Sequence, residues 1–201
     1  MAVLALGACS VLRPAATPPP AFYSLDNLHA APAAATALAP ATAPTLMVSP
    51  TRAAAGFDSQ RIIYLREPHK LEYFASSEWI DPPARMLGPL MVNAIERSGA
   101  FRAVMLTPGS AAGDLRLDTE IIRLQQEFQT RPSRAHFTLR AYLVDDKTRR
   151  TLAWREFDSE VAATSDDPYG GVVAANQAVQ TVLENLASFC DEAARSVVPV
   201  K

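Results

Sequence analysis

"LRLDTEIIRLQQEF", residues 115–128, is the stretch from which the rest of the chain is read. Leu115, Leu117, Thr119 and Ile121 alternate with Arg116, Asp118 and Glu120, the two-residue period of a strand with one buried face and one wetted face. Ile122 and Leu124 then take the opposite parity. A slip of one residue inside a strict alternation predicts a β-bulge at Ile121–Ile122. The same period returns at Ala135, Phe137, Leu139, Ala141 and Leu143. "DDKT" (145–148) is a turn, and "LAWREF" (152–157) follows it. Three long strands in an antiparallel meander, buried on one face, are expected.

Downstream, Pro168, Gly170 and Gly171 precede a helical pattern. Val172, Ala175, Val179, Val182, Leu183, Leu186 and then Phe189 or Cys190 make one apolar stripe, spaced to lie against that sheet. Upstream, "TLMVSP" (45–50) and "RIIYLR" (61–66) are β-rich. "EPHK" (67–70) and "LEYFA" (71–75) complete a hairpin with Pro68 in its turn. In "SEWIDPPARMLGPLMVNAIERSGAF" (77–101), Asp81 is placed to cap a helix, Pro82 to occupy its first position and Gly99 to close it. Leu87, Leu90, Ala94 and Ile95 share a face. Pro89 removes a donor and crowds the carbonyl of Arg85, which predicts a kink or a late start. The expected class is α+β in two layers: a mainly antiparallel sheet with a long C-terminal helix and a kinked second helix packed on one face.

A length of 201 residues, 49% hydrophobic and 20% charged, suits one globular core and a single domain. Nineteen basic and 21 acidic residues leave a net charge of -2. No global positive field draws such a chain to phosphates, so nucleic acid is not an expected partner. Apolar runs such as "GGVVAANQAV" (170–179) fall well short of the roughly 20 residues that span a bilayer as a helix.

The two cysteines, Cys9 and Cys190, stand at opposite ends of the chain and in no metal-binding spacing. A disulfide between them would tie down a tail whose composition is loose. Leu6-Gly7-Ala8-Cys9 instead has the small-residue approach to a secretory cleavage point, with cysteine first after the cut, and looks like a bacterial lipobox. In lipoproteins of that kind the thiol carries diacylglycerol and the new amine is acylated. At about 0.8 kcal/mol per buried methylene, two or three chains on one residue anchor a protein stably. Residues 1–8 are read as a signal peptide; they hold no lysine or arginine, so a truncated or misplaced start is expected. Residues 9–21 are read as the lipidated cysteine and a Pro-rich tether, carrying Pro14, Pro18, Pro19 and Pro20. The domain is expected over 22–198, opening with a short strand at "FYSL" (22–25) and interrupted by an Ala/Pro-rich linker at 29–44. Ser10 is not the aspartate associated with inner-membrane retention, which favours the periplasmic side of the outer membrane.

No sequence motif announces catalysis. His29, His69 and His136 fall in a linker, a turn and a strand, and no nucleophile elbow, zincin helix, P-loop or dinucleotide fingerprint occurs. An enzyme, a bound metal and a cofactor other than lipid on Cys9 are therefore not expected. "DDPYGGVVAAN" (166–176) could offer backbone N–H groups to an anion, but Asp166 and Asp167 would repel one, and the structural reading is a helix cap. Asn176 is expected to bond a neighbouring loop. The aromatics between Phe57 and Trp79 are crowded. Because strand neighbours point to opposite faces, Tyr73 and Phe74 cannot be buried by one layer, which makes Tyr64, Tyr73, Phe74 and Trp79 candidates for a partner contact.

"GFDSQRIIYLREPHKLEYFASSEWIDPPARML", "LRLDTEIIRLQQEF", "FTLRAYLVD" and "DDPYGGVVAANQAV" together resemble the ABC-type transport auxiliary lipoproteins, the family that includes the PqiC-type intermembrane transport lipoproteins. The resemblance covers residues 22–190, and the tyrosine-rich hairpin followed by Trp-x-x-Pro-Pro is its most specific part. It implies a non-enzymatic periplasmic subunit working with an ABC transporter and a protein bearing the mammalian-cell-entry (MCE) domain, in systems that move phospholipids or other hydrophobic molecules between membranes. Two functions are carried forward. One is a lipid-anchored subunit that docks the transport conduit at the outer membrane; the other is a carrier holding an acyl chain in an apolar pocket. Sequence leaves open whether the chain forms a homo-oligomer.

Overall fold

The computed structural model describes residues 19–26, 39–109 and 112–197. The expected signal segment, Cys9, most of the tether and most of the Ala/Pro-rich linker lie outside the described residues.

The strand read first, β7 (Leu115–Glu127), is the spine of a nine-stranded sheet. Along one edge it pairs antiparallel with β8 (Arg134–Asp145), which pairs antiparallel with β9 (Thr151–Ala162). This is the expected meander, and the register of β7 against β8 slips between Ile121 and Arg123, where the parity change put a bulge. The other edge of β7 is covered in succession by three short strands running parallel to it: β2 (Thr45–Val48), β3 (Arg52–Ala53) and β4 (Arg61–Leu65). Beyond β2 lies β6 (Ala103–Leu106), parallel to it. Beyond β4 lie β5 (Leu71–Trp79), its antiparallel hairpin partner, and β1 (Ala21–Tyr23), parallel to β5. The sheet is mixed: the long β7–β8–β9 meander and the β4–β5 hairpin are antiparallel, and the short pairings of β1 with β5, of β2 with β6 and of β2, β3 and β4 with β7 are parallel.

One face of the sheet carries both helices. α2 (Pro168–Val197) crosses β7, β8 and β9, and α1 (Pro83–Glu96) packs on β2, β6 and α2. All residues of the predicted α2 stripe are buried, as are Ala135, Phe137, Leu139, Ala141 and Leu143 opposite them. Phe157 of β9 meets Phe189 of α2 edge-on, ring centres 5.8 Å apart.

Two helix starts differ from expectation. Asp81 makes no capping bond to α1; Pro82 is the residue before the helix and Pro83 its first. A second proline in sequence suits the first turn better, because there its missing N–H costs nothing, and Asp81 pairs instead with Arg85 at 3.5 Å. α1 runs without interruption through Pro89, so there is no late start. Gly99, at φ 67°, takes the left-handed conformation that ends the helical segment. α2 begins at Pro168 itself, which puts Gly170 and Gly171 inside its first turn.

Candidate functional site

The β4–β5 hairpin sorts its aromatic residues as strand geometry requires. Ile63 and Tyr73 are a cross-strand pair, and Tyr64 and Glu72 are the next. Tyr64 and Phe74 share a face and pack 4.5 Å apart, with Phe128 from the end of β7 edge-on to Tyr64 at 5.7 Å. Phe128 was not singled out from sequence, since nothing local says that the end of β7 returns to this hairpin. Tyr73 points the other way and is 51% exposed, with the Arg61 guanidinium 4.1 Å from its ring centre. Around this pair a groove of about 420 Å³ is lined by Gly56, Asp58, Ile63, Leu71 and Glu72. Trp79 is 3% exposed and belongs to the core. It presents no surface to a partner, because its strand position faces the helices. The hairpin tip is charge-balanced: Arg66 holds Glu72 at 2.5 Å and Lys70 stands 3.8 Å from Glu67. The Arg66 hydrogen bond keeps the Glu72 carboxyl below its usual range.

A second groove, about 580 Å³, lies between the ends of the two helices. Pro40, Ala43, Pro44, Gly99, Ala100 and Ala194 line it. Neither this groove nor its lining was foreseen, because it is assembled from three segments distant in sequence.

The N-terminal segment is fastened to the domain in two ways. β1 pairs with β5, and Tyr23 O accepts the N–H of Ile80 at 2.7 Å. Asn176 of α2 then clamps the residues that follow: its Oδ1 accepts the Asp26 N–H at 2.9 Å and its Nδ2 donates to Ser24 O at 3.1 Å. Asn176→Ala is expected to cost about 1–2 kcal/mol, since it leaves a half-buried N–H without this acceptor. The urea midpoint should fall with an unchanged slope, and the Asp26 amide should exchange faster with solvent.

"DDPYGG" is a cap, as the repulsion between its aspartates and an anion implied. Asp167 Oδ1 accepts the Gly170 N–H at 2.8 Å and Asp166 Oδ1 accepts the Ser133 N–H at 2.7 Å. These backbone donors hold both carboxyls below the usual range. Asp114 is lowered in the same way, first by the Thr45 N–H. At Asp158 burial pushes the carboxyl up, but Thr138, His136 and Arg123 outweigh it and the net shift is downward. Carboxyls depressed in the folded state add stability in full above their unfolded value of about 4, and lose it as pH falls through the depressed values. The unfolding midpoint should therefore hold from pH 7 to 5 and drop below pH 4, as thermal scans across that range would read.

His136 is a satisfied strand residue. Its Nδ1 lies 3.3 Å from Glu127 and its Nε2 lies 2.9 Å from Asp158, on the sheet face away from the helices. On the same face Tyr142 and Trp154 stack with centres 6.4 Å apart. Cys190 is a free thiol wholly inside the core, and burial pushes it up to about 12, so it is inert to alkylation in the native state. Among the described residues no cluster of His, Cys, Asp or Glu is arranged to hold a metal ion, and no helix is long and apolar enough to cross a membrane.

A family model described as ABC-type transport auxiliary lipoprotein component matches residues 23–187, from the end of β1 to well into α2. The chain belongs to this family. As an auxiliary lipoprotein component of ABC-type transport it shares its fold with solved structures. One is protein XCC0632 from Xanthomonas campestris, with 22% identity and a TM-score of 0.72 over 87% of this chain and 97% of that one. A second, described as an uncharacterized protein, aligns at 12% identity and a TM-score of 0.66 over 86% and 99% of the two chains. At these identities the likeness establishes the fold alone. No curated protein matches the auxiliary lipoprotein.

Proposed function

We propose that this auxiliary lipoprotein is a non-enzymatic subunit of an ABC/MCE-type intermembrane lipid transport system, anchored through lipid on Cys9 to the periplasmic side of the outer membrane, where it docks the transport conduit. The observation that carries this reading is the family match over residues 23–187, in a chain whose domain is preceded by Cys9 and a Pro-rich stretch. The mechanism is positional: a tethered domain that binds the MCE-domain protein raises its effective concentration near one membrane. The interior supports docking over carriage. Between the sheet and α2, beside Ile62, Trp79, Leu124 and Ala175, the free space is about 10 Å³, room for a water molecule at most.

Cys9→Ser is expected to abolish labelled-palmitate incorporation and move the protein from the membrane to the soluble fraction, because the anchor supplies nearly all of its membrane affinity. Pulldown with the folded domain should recover the MCE-domain protein whether or not Cys9 is present. Unchanged membrane fractionation of Cys9→Ser would refute the anchor, and a failed pulldown would refute docking.

The carrier reading rests on the 580 Å³ groove between the helix ends, whose volume lies within the roughly 300–1,000 Å³ of small-molecule sites. It requires lipid to copurify with the unacylated domain at near-stoichiometric yield, which mass spectrometry of an organic extract would measure.

A further inference from the structure

We infer that the end of the domain bearing the β4–β5 hairpin tip faces the bilayer surface, an inference that rests on the reading of Cys9 as the point of attachment. β1 runs parallel to β5, with Ala21 opposite Ser77 and Tyr23 opposite Trp79. A chain followed upstream from Ala21 therefore heads along β5 toward Leu71 and the hairpin tip at 66–70. The two residues before Ala21 are Pro19 and Pro20. Each has its φ fixed near -65°, and Pro20 disfavours a helical conformation at Pro19, so these two residues continue away from β1 without a helical turn. Neither has an N–H to continue the ladder on β5.

Length agrees with direction. The twelve steps from Cys9 to Ala21 have a maximum extended length of roughly 40 Å at about 3.3 Å per residue. Ser77 to Leu71 on β5 is roughly 20 Å at about 3.3 Å per residue. That contour exceeds the distance along β5 from Ser77 to the tip.

The side chains at that end fit a lipid surface. Leu71 is 48% exposed and Tyr73 51% exposed. The first turn of α2 lies at the same end, since Leu65 pairs with Glu127 and the neighbouring Gln126 bonds Asp167 O at 3.3 Å. There Tyr169 is 63% exposed. Tyrosine, with an apolar ring and a polar tip, is suited to the boundary between headgroups and water. The hairpin tip's own charges are paired with one another, and Asp166 and Asp167 at the start of α2 add negative charge at this end, so it does not depend on anionic lipid. Contact at this end is set by the direction of the tether, since comparably exposed apolar side chains, Phe22, Ile80 and Trp154, also lie elsewhere on the domain.

The test uses the full chain with a maleimide-bearing lipid joined to Cys9, the buried Cys190 thiol being unreactive, in vesicles of phosphatidylethanolamine and phosphatidylglycerol. A photoreactive p-benzoylphenylalanine replaces Lys70 at the hairpin tip or Lys147 in the β8–β9 turn. Lipid cross-linking at position 70 is expected to exceed that at 147 by about tenfold, the ratio set by effective concentration near the surface. Equal cross-linking, or an excess at 147, overturns the assignment. Because the lipid is attached chemically, that result stands apart from palmitate labelling of Cys9 in cells, which tests the anchor itself.

Discussion

Phe137→Ala should lower stability by about 3–5 kcal/mol, the range for truncating a wholly buried aromatic residue. Phe137 is the fourth residue of β8, on the face that carries α2, and is fully enclosed. Leu124 is its cross-strand neighbour on β7, just past the bulge. Ladders to β7 and β9 hold the strands on both sides of Phe137, so the surroundings collapse little into the space that the ring vacates. In a chain of this size each kcal/mol moves the melting temperature by about 2–4 °C, so a fall of roughly 10–15 °C is expected, measured by circular dichroism on the purified domain. A loss under about 1 kcal/mol would mean that α2 does not seat on this sheet as described.

The second large effect belongs to the start of α2. Glycine to alanine inside a helix ordinarily gains up to about 1 kcal/mol, yet both glycines here should behave in the opposite sense. A Cβ on Gly170 would overlap the backbone carbonyl of Ser165, and one on Gly171 would overlap the Gln126 amide. Gln126 cannot swing aside freely, because it is buried and its Nε2 donates to Ser133 Oγ at 2.9 Å. Overpacking of this kind costs about 1–3 kcal/mol, and more against backbone. Gly170→Ala is expected to be the worse of the two, with a net loss of about 2–3 kcal/mol after the helix gain. Adding Gln126→Ala should recover part of the loss in Gly171→Ala and none in Gly170→Ala. Denaturant titrations of the four variants would read that non-additivity, and equal recovery in both would contradict the contacts.

These two sites also mark what could be read in advance. The meander, its bulge and the α2 stripe were legible because a sheet buried on one face imposes a strict two-residue alternation, and a helix lying on it imposes a 3.6-residue one. The aspartates of "DDPYGG" followed from local chemistry; Asn176 was expected to bond a loop, but not the distant residues Ser24 and Asp26 that it holds. What could not be read is everything that depends on which distant segment comes alongside. β2, β3 and β4 are each too short to show a period, and their parallel alignment on β7 is decided by the long strand they cover. Trp79 looked like a surface aromatic because its stretch is crowded with them, but its position in β5 turns it inward. Tyr73 alone of the four named aromatics is exposed; Tyr64 and Phe74 back onto Phe128, which only the fold brings near.

The pairing of β1 with β5 has a mechanical side. A pull from the N-terminal side of Ala21 would act along the strand axis rather than across it. Every hydrogen bond joining β1 to β5 would then bear the force at once, in shear, instead of parting one by one like a zip. Behind them Asn176 grips Ser24 and Asp26 as a second fastening, so such a pull would strain α2 only after the edge strand had given way.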